Sequence, residues 1–196
     1  MILLDDIATI HSGYTYRGSL KDANSGNVQI IQMGDAWPDS IGQAWRFPWI
    51  SLKKMPRHFP LRNGDLIFRA RGLNNITVLL ENPPGLTICN APLMFIRMRP
   101  RQQVLPAYLQ WYLNLAPTQK LIEAGATGEK IRIISSQTMR ALPVPLPTMA
   151  IQQAIVDEDR QARQFLQEHI EKIEALKTKT ADTLLKCAKG EAILSA

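Results

Sequence analysis

Two cysteines, three histidines and no long apolar run are the sparse features of this 196-residue sequence, and each removes a class of function. Cys89 and Cys187 lie far apart, with no second pair to complete a four-sulfur metal site, so both are expected to be reduced, small apolar fillers. His11, His58 and His169 fall in no metal-ligand spacing and beside no nucleophile motif. Asp5, Asp6, Asp35 and Asp65 form no nuclease pattern, so a hydrolytic centre is not legible. No uninterrupted apolar stretch approaches the roughly 20 residues that a bilayer-crossing helix needs. The amino terminus carries Asp5 and Asp6 where an export signal would be basic, so a cytoplasmic protein with no membrane association is expected.

What is present is an uneven distribution of charge. The net charge is +6. Residues 150–189 hold seven basic side chains and seven acidic ones, whereas residues 1–149 hold 16 basic groups against nine acids. The excess positive charge therefore sits on the first 149 residues, as suits a surface that meets a polyanion, although many basic proteins bind no nucleic acid.

The same boundary divides the secondary structure. From Ala150 to Lys189 there is no proline or glycine, and good helix formers dominate. Thr148 is a candidate N-cap after the extended stretch Pro143-Val144-Pro145-Leu146-Pro147, and Gly190 a candidate terminator. The sequence thus predicts a basic globular domain over 1–149, a long helix over 150–190 and a tail over 191–196. Forty residues of helix would span about 60 Å. Ile151, Ile155, Ala162, Leu166, Ile170, Ile173 and Leu184 recur mostly three, four or seven apart and form one apolar stripe on a polar rod. Such a stripe calls for a partner helix. Lys177 and Thr180 interrupt it, which favours a short antiparallel pairing or small bundle over a long parallel zipper. The alternative is a helix folded back on its own domain.

Before Ala150 the pattern is short and punctuated. Val28–Ile31, Asp65–Phe68, Thr77–Leu80 and Leu93–Ile96 read as strands between Gly, Pro and Asn turns, while Pro106–Leu115 and Thr118–Ala124 have helical spacing, with Pro117 breaking between them. The expected class is α+β with a mixed sheet.

Three loops combine cations with turn residues. Arg69, Arg71, Asn74 and Asn75 follow a strand, and Arg and Asn are the side chains suited to bidentate contacts with guanine and adenine; ordinary surface charge beside a turn is the alternative. Lys130 and Arg132, in Thr127-Gly128-Glu129-Lys130-Ile131-Arg132, suit phosphate contact. Tyr16 and Arg17, between Gly13 and Gly18, form the third. Trp37, Trp45 and Trp49 fit the core better than base stacking.

The order of segments resembles the target recognition domain of type I restriction-modification specificity subunits. The resemblance rests on three stretches of the first half: Leu4-x-x-Ile7-Ala8-x-Ile10-x-Ser12-Gly13-Tyr14-Thr15-x-Arg17, Ile30-Ile31-Gln32-Met33-Gly34-Asp35, and Leu61-x-x-Gly64-Asp65-Leu66-Ile67-Phe68-x-x-Arg71-Gly72. It extends through Gly125–Ile131, Leu142–Pro147 and the Ile151-Gln152-Gln153-x-Ile155 start of the long helix. The resemblance implies a non-catalytic reader of double-stranded DNA that binds no cofactor itself. S-adenosylmethionine is expected on a partner DNA methyltransferase subunit, and a restriction or translocase subunit can join the complex. Family members usually carry two recognition domains joined by paired helices. This sequence shows one domain and one helix, which implies either a homodimer through residues 150–189, with a gapped palindromic target, or a fragment awaiting a different half.

Two other functions stay open at this stage. Glu81-Asn82-Pro83-Pro84-Gly85 is near the motif of adenine methyltransferases, but glycine stands where the base-stacking ring must be, and good turn chemistry explains the stretch. An assembly or regulatory module that grips protein through its helix is the second.

Overall fold

The computed structural model describes residues 1–18, 25–35, 47–54, 57–72, 75–128 and 131–189. The chain divides into two compact units, Met1–Gln153 and Ala154–Ala196.

In the first unit, β1 (Ile2–Leu3) leads into a single turn α1 (Leu4–Ile7) and then β2 (Ala8–Ser12). Asp6 accepts the Leu3 N–H at 2.9 Å, capping that turn. There follow β3 (Val28–Ile31), β4 (Trp49–Ile50), β5 (Leu66–Arg69), β6 (Thr77–Leu79), β7 (Thr87–Cys89) and β8 (Leu93–Met98). The helices α2 (Pro106–Asn114), α3 (Ala116–Ala124) and α4 (Ser136–Arg140) precede β9 (Pro143–Val144) and the long α5 (Met149–Ala188).

Three sheets form. One is four-stranded and antiparallel, in the order β2-β8-β5-β6; one is three-stranded, in the order β4-β3-β7; and β1 pairs with β9. The second is mixed, since β3 runs antiparallel to β4 and parallel to β7. The expected α+β class with a mixed sheet and a long carboxy-terminal helix is what the chain adopts.

The unbroken apolar runs have a physical cause. Alternate residues of β5 and β8 serve different cores: Leu66, Phe68, Met94 and Ile96 pack with Leu109, Leu113, Ile122 and Met139 of the helices. Ile67, Leu93 and Phe95 pack instead with Ile31, Leu80 and Cys89 on the other side. A strand covered on both faces has no polar side, so it reads as a run and not as an alternation. Val28, Ile30, Ile50 and Ile88 make a third cluster under the mixed sheet. Cys89 is buried, and burial pushes its thiol up to about 12, as fits an inert core residue.

The boundary between α2 and α3 differs from expectation. Pro117 lies within the first turn of α3, which starts at Ala116, and not between two helices. A first-turn N–H has no helical partner to lose, so proline is tolerated there.

The entry to α5 is held by side chains from α2. Tyr108 and Tyr112 donate their hydroxyls to the carbonyls of Pro145 and Pro143, each at 2.7 Å. Gln152 is fully buried: its Oε1 accepts the Leu105 N–H at 2.9 Å, and its Nε2 donates to Gln103 O and Pro147 O, both at 2.9 Å. Those carbonyls and that N–H belong to proline-interrupted segments without ladder partners, and the amide completes them. Within the second unit, Phe165, Leu166, Ile170, Ile173, Leu176 and Leu184 are exposed.

Candidate nucleic-acid interface

The register of the four-stranded sheet brings two of the sequence-predicted loops to one end of it, and a backbone bridge between Arg71 and Ile133 joins the third to them. Ser12, the last residue of β2, pairs with Met94 near the start of β8, and Arg69, the last of β5, pairs with Leu93. Phe68 pairs with Thr77, the first residue of β6. The segment after β2 and the loop that joins β5 to β6 therefore leave the same end of the sheet, although they are distant in sequence.

The first of these carries Tyr16 and Arg17. Gly13 hugs the start of β8, its N–H donating to Leu93 O at 2.7 Å, and a Cβ there would meet that same carbonyl oxygen at 2.8 Å. Asn90 then accepts the Tyr16 N–H at 3.2 Å. The Tyr16 ring is half-buried against the cluster under the mixed sheet, and Arg17 is the exposed cation of this loop.

The second and third loops meet each other. Arg71 and Ile133 face each other in an antiparallel bridge, flanked by hydrogen bonds from Gly72 N to Arg132 O at 3.1 Å and from Ile134 N to Ala70 O at 2.8 Å. Ile133 also exchanges both backbone hydrogen bonds with Thr127, at 2.8 and 3.0 Å, closing a hairpin. Gly128 makes this closure feasible, with φ at +94° and no room for a Cβ beside Ile131 O. Ala70 and Ile134 point into the core, so the alternation of side chains turns Arg71 and Ile133 outward.

Arg71 and Arg132 are exposed, and Arg132 lies 3.8 Å from Glu123 of α3. Arg69 is half-buried at the end of β5. Asn74 and Lys130 lie outside the described residues. Asn75 requires a correction: it is 1% exposed, and its Nδ2 donates to Arg69 O at 2.8 Å, so its amide supports the loop and is not presented to a base.

Side chains of α2 and α3 stiffen the loop from behind. Asn114 accepts the Thr77 N–H at 2.9 Å and donates to Thr77 O at 2.8 Å, continuing the ladder where no strand lies. Gln119 donates to Asn75 O at 3.0 Å and Leu113 O at 2.6 Å. Sequence reasoning did not single out Asn114, Gln119 or Ile133; a polar residue at the end of an amphipathic helix carries no mark of the strand it will complete.

The Asn82–Gly85 stretch is a turn between β6 and β7, with Asn82 at φ +47° and Gly85 at φ +59°. Among the described residues no group of His, Cys, Asp and Glu is arranged to hold a metal ion, and no helix is long and apolar enough to cross a membrane.

The geometry is that of a cationic edge with rigid supports, capable of hydrogen bonding to an anionic polymer and of projecting guanidinium groups beyond it. The family model for the type I restriction modification DNA specificity domain matches residues 1–182. Among solved structures, the chain is similar to the S subunit of a type I restriction-modification system from M. genitalium, at 15% identity and a TM-score of 0.59, over 94% of this chain and 44% of that one. It is similar also to the HsdS subunit from Thermoanaerobacter tengcongensis, at 19% identity and a TM-score of 0.60, over 97% of this chain and 42% of that one. The chain thus spans less than half the length of these solved chains. No curated protein matches it at a significant level. With the family model matched along nearly its whole length, the chain belongs to the family of type I restriction modification DNA specificity domains.

Proposed function

We propose that this chain reads one half of a bipartite site in double-stranded DNA, performs no catalysis, and docks the methyltransferase subunit of a type I restriction-modification complex. The observation that carries the reading is the convergence of three cation-bearing loops, two at one end of the four-stranded sheet and the third bridged to them through Arg71 and Ile133, in a chain of this family. Arg71 supplies base contacts, while the Arg69 guanidinium, with Nε and Nη1 buried, stays within the protein; Arg17, Lys130 and Arg132 supply phosphate contacts, which fix register without sequence information. The reaction belongs to the partner, which brings S-adenosylmethionine; this chain selects where it acts. A restriction or translocase subunit can join the same assembly.

The exposed stripe of α5 supports a second copy of this chain as the partner helix. Two recognition units related by a twofold axis would read a gapped palindrome, with the paired helices setting the gap.

The test is selection from a randomised duplex pool, using the full chain alone and with its methyltransferase subunit. Enrichment of two short sequences separated by a fixed gap, with affinity falling steeply as salt rises, is the expected result. Failure to enrich any sequence in either setting would reject the reading.

A further inference from the structure

We infer that Ile133 is a specificity residue that reads the 5-methyl group of a thymine lying next to the base contacted by Arg71; the inference rests on the DNA-reading function proposed above. Three residues from separate segments stand in one row: Thr127, Ile133 and Arg71 are successive antiparallel partners. Directly opposed residues of antiparallel partners project from the same face, with Cβ atoms about 4.5–5.5 Å apart. The Arg71–Ile133 pair is of the close, non-hydrogen-bonded kind, because the flanking residues exchange the hydrogen bonds.

The row is exposed where an isoleucine has no reason to be. Ile133 is 45% exposed and its neighbour Ile131 46%, whereas the adjacent Ile134 is fully buried. The core is therefore complete without Ile133, and the backbone on either side of it is bonded, so the exposure is not that of a loose loop. A branched apolar side chain held rigidly between a guanidinium and a threonine methyl matches the major-groove edge of a duplex. Guanine there offers two acceptors to arginine, and thymine offers its methyl group to apolar contact. Adjacent bases on a strand are about 3.4 Å apart along the axis, so side chains about 5 Å apart reach the same or the next base pair. Positive charge on the same edge, from Arg71 and Arg132, suits a nucleic acid and not an apolar protein partner.

The experiment uses the full chain with its methyltransferase subunit and the randomised duplex pool, followed by the recovered duplex synthesised with deoxyuridine replacing thymine one position at a time. Deoxyuridine lacks only the methyl group. The wild-type chain is expected to lose about three- to tenfold in affinity at one thymine adjacent to the position whose preference Arg71→Ala relaxes. Ile133→Ala should bind the thymine and deoxyuridine duplexes equally, while Ile133→Val, which keeps the branched methyls, should retain the discrimination. Unchanged discrimination in Ile133→Ala, or a wild-type chain that recovers a sequence yet is indifferent to every thymine methyl, would overturn the inference and leave the DNA-reading function standing. A wild-type chain that recovers no sequence would overturn both.

Discussion

Arg97 grips Asp65 with both arms of its guanidinium, Nε to Oδ1 at 2.8 Å and Nη2 to Oδ2 at 2.6 Å, across the pairing of β8 with the start of β5. The Asp65 side chain is 2% exposed and the Arg97 side chain 16%. Asp65 also accepts the Arg62 N–H at 2.7 Å, and Arg97 also donates to Pro60 O at 2.7 Å, so both charges are fully engaged. Removing one partner leaves the other buried and uncompensated. Asp65→Ala is expected to cost about 3–5 kcal/mol, and replacing both residues by apolar ones of similar size much less. Chemical denaturation of the two single variants and the double variant measures the coupling; additive losses would deny it.

Gln152 should anchor the entry to α5. Gln152→Ala leaves Leu105 N–H and two carbonyls without partners and is expected to cost about 1–3 kcal/mol. Gln152→Glu keeps the acceptor for Leu105 but brings a carboxylate against Gln103 O and Pro147 O, so it should be no milder. Thermal unfolding of both variants checks this.

Stability should fall as pH falls below the ordinary histidine value of 6.5, where His11 titrates in the unfolded chain. Burial first, and then the nearby charges of Arg97, His58 and Arg140, hold the His11 imidazole below that value in the fold, with Asp65 opposing. His11 stacks on Phe95 and on His58, at centroid distances of 4.8 and 5.9 Å. In that window the unfolded state binds more protons than the folded one, so acid favours unfolding. His11→Phe should flatten the dependence of melting temperature on pH between 6.5 and lower values; an unchanged slope would remove His11 from the account.

Arg71 and Asn75 are expected to fail in opposite ways. Arg71→Ala should weaken cognate binding by about 1–3 kcal/mol without changing stability, and equal loss on random DNA would deny it a base-reading role. Asn75→Ala should lower stability by about 1–3 kcal/mol and leave the recovered sequence unaltered. Lys130→Ala should weaken all DNA alike.

Charge on the α5 stripe should break self-association. Leu166→Glu together with Ile173→Glu places two carboxylates where a partner helix would pack and is expected to turn a dimer into a monomer by light scattering. A wild-type chain that is already a monomer would move the partner from a second copy to another subunit.

Local pattern was sufficient wherever one element satisfies its own needs. The uninterrupted helix former content of residues 150–189, the runs Val28–Ile31 and Leu93–Ile96, and the turn chemistry of Asn82–Gly85 each announce their conformation because propensity and backbone hydrogen bonding act over a few residues. The separation of a basic domain from a neutral striped helix was equally legible, since charge and apolar spacing are read directly from the chain. Neither reveals direction. Asn75 carries the chemistry of a base reader, yet it is turned inward by Arg69 O, and Asp65 resembles a free acid until Arg97, 32 positions later, closes on it. The shared end of the loop after β2 and the loop after β5 follows from β8 lying between β2 and β5, strands far apart in sequence, and the meeting of Arg71 with Ile133 is a further backbone bridge between distant segments. Which strands pair is decided by burying both faces of β5 and β8 at once, a global requirement that no window of sequence contains. The sequence by itself therefore determined the long helix, the longer apolar strands and the division of charge, while the short strands such as β4 and β9, whose partners lie far away in the chain, and the choice of which polar side chains face outward together, were decided by the tertiary structure alone.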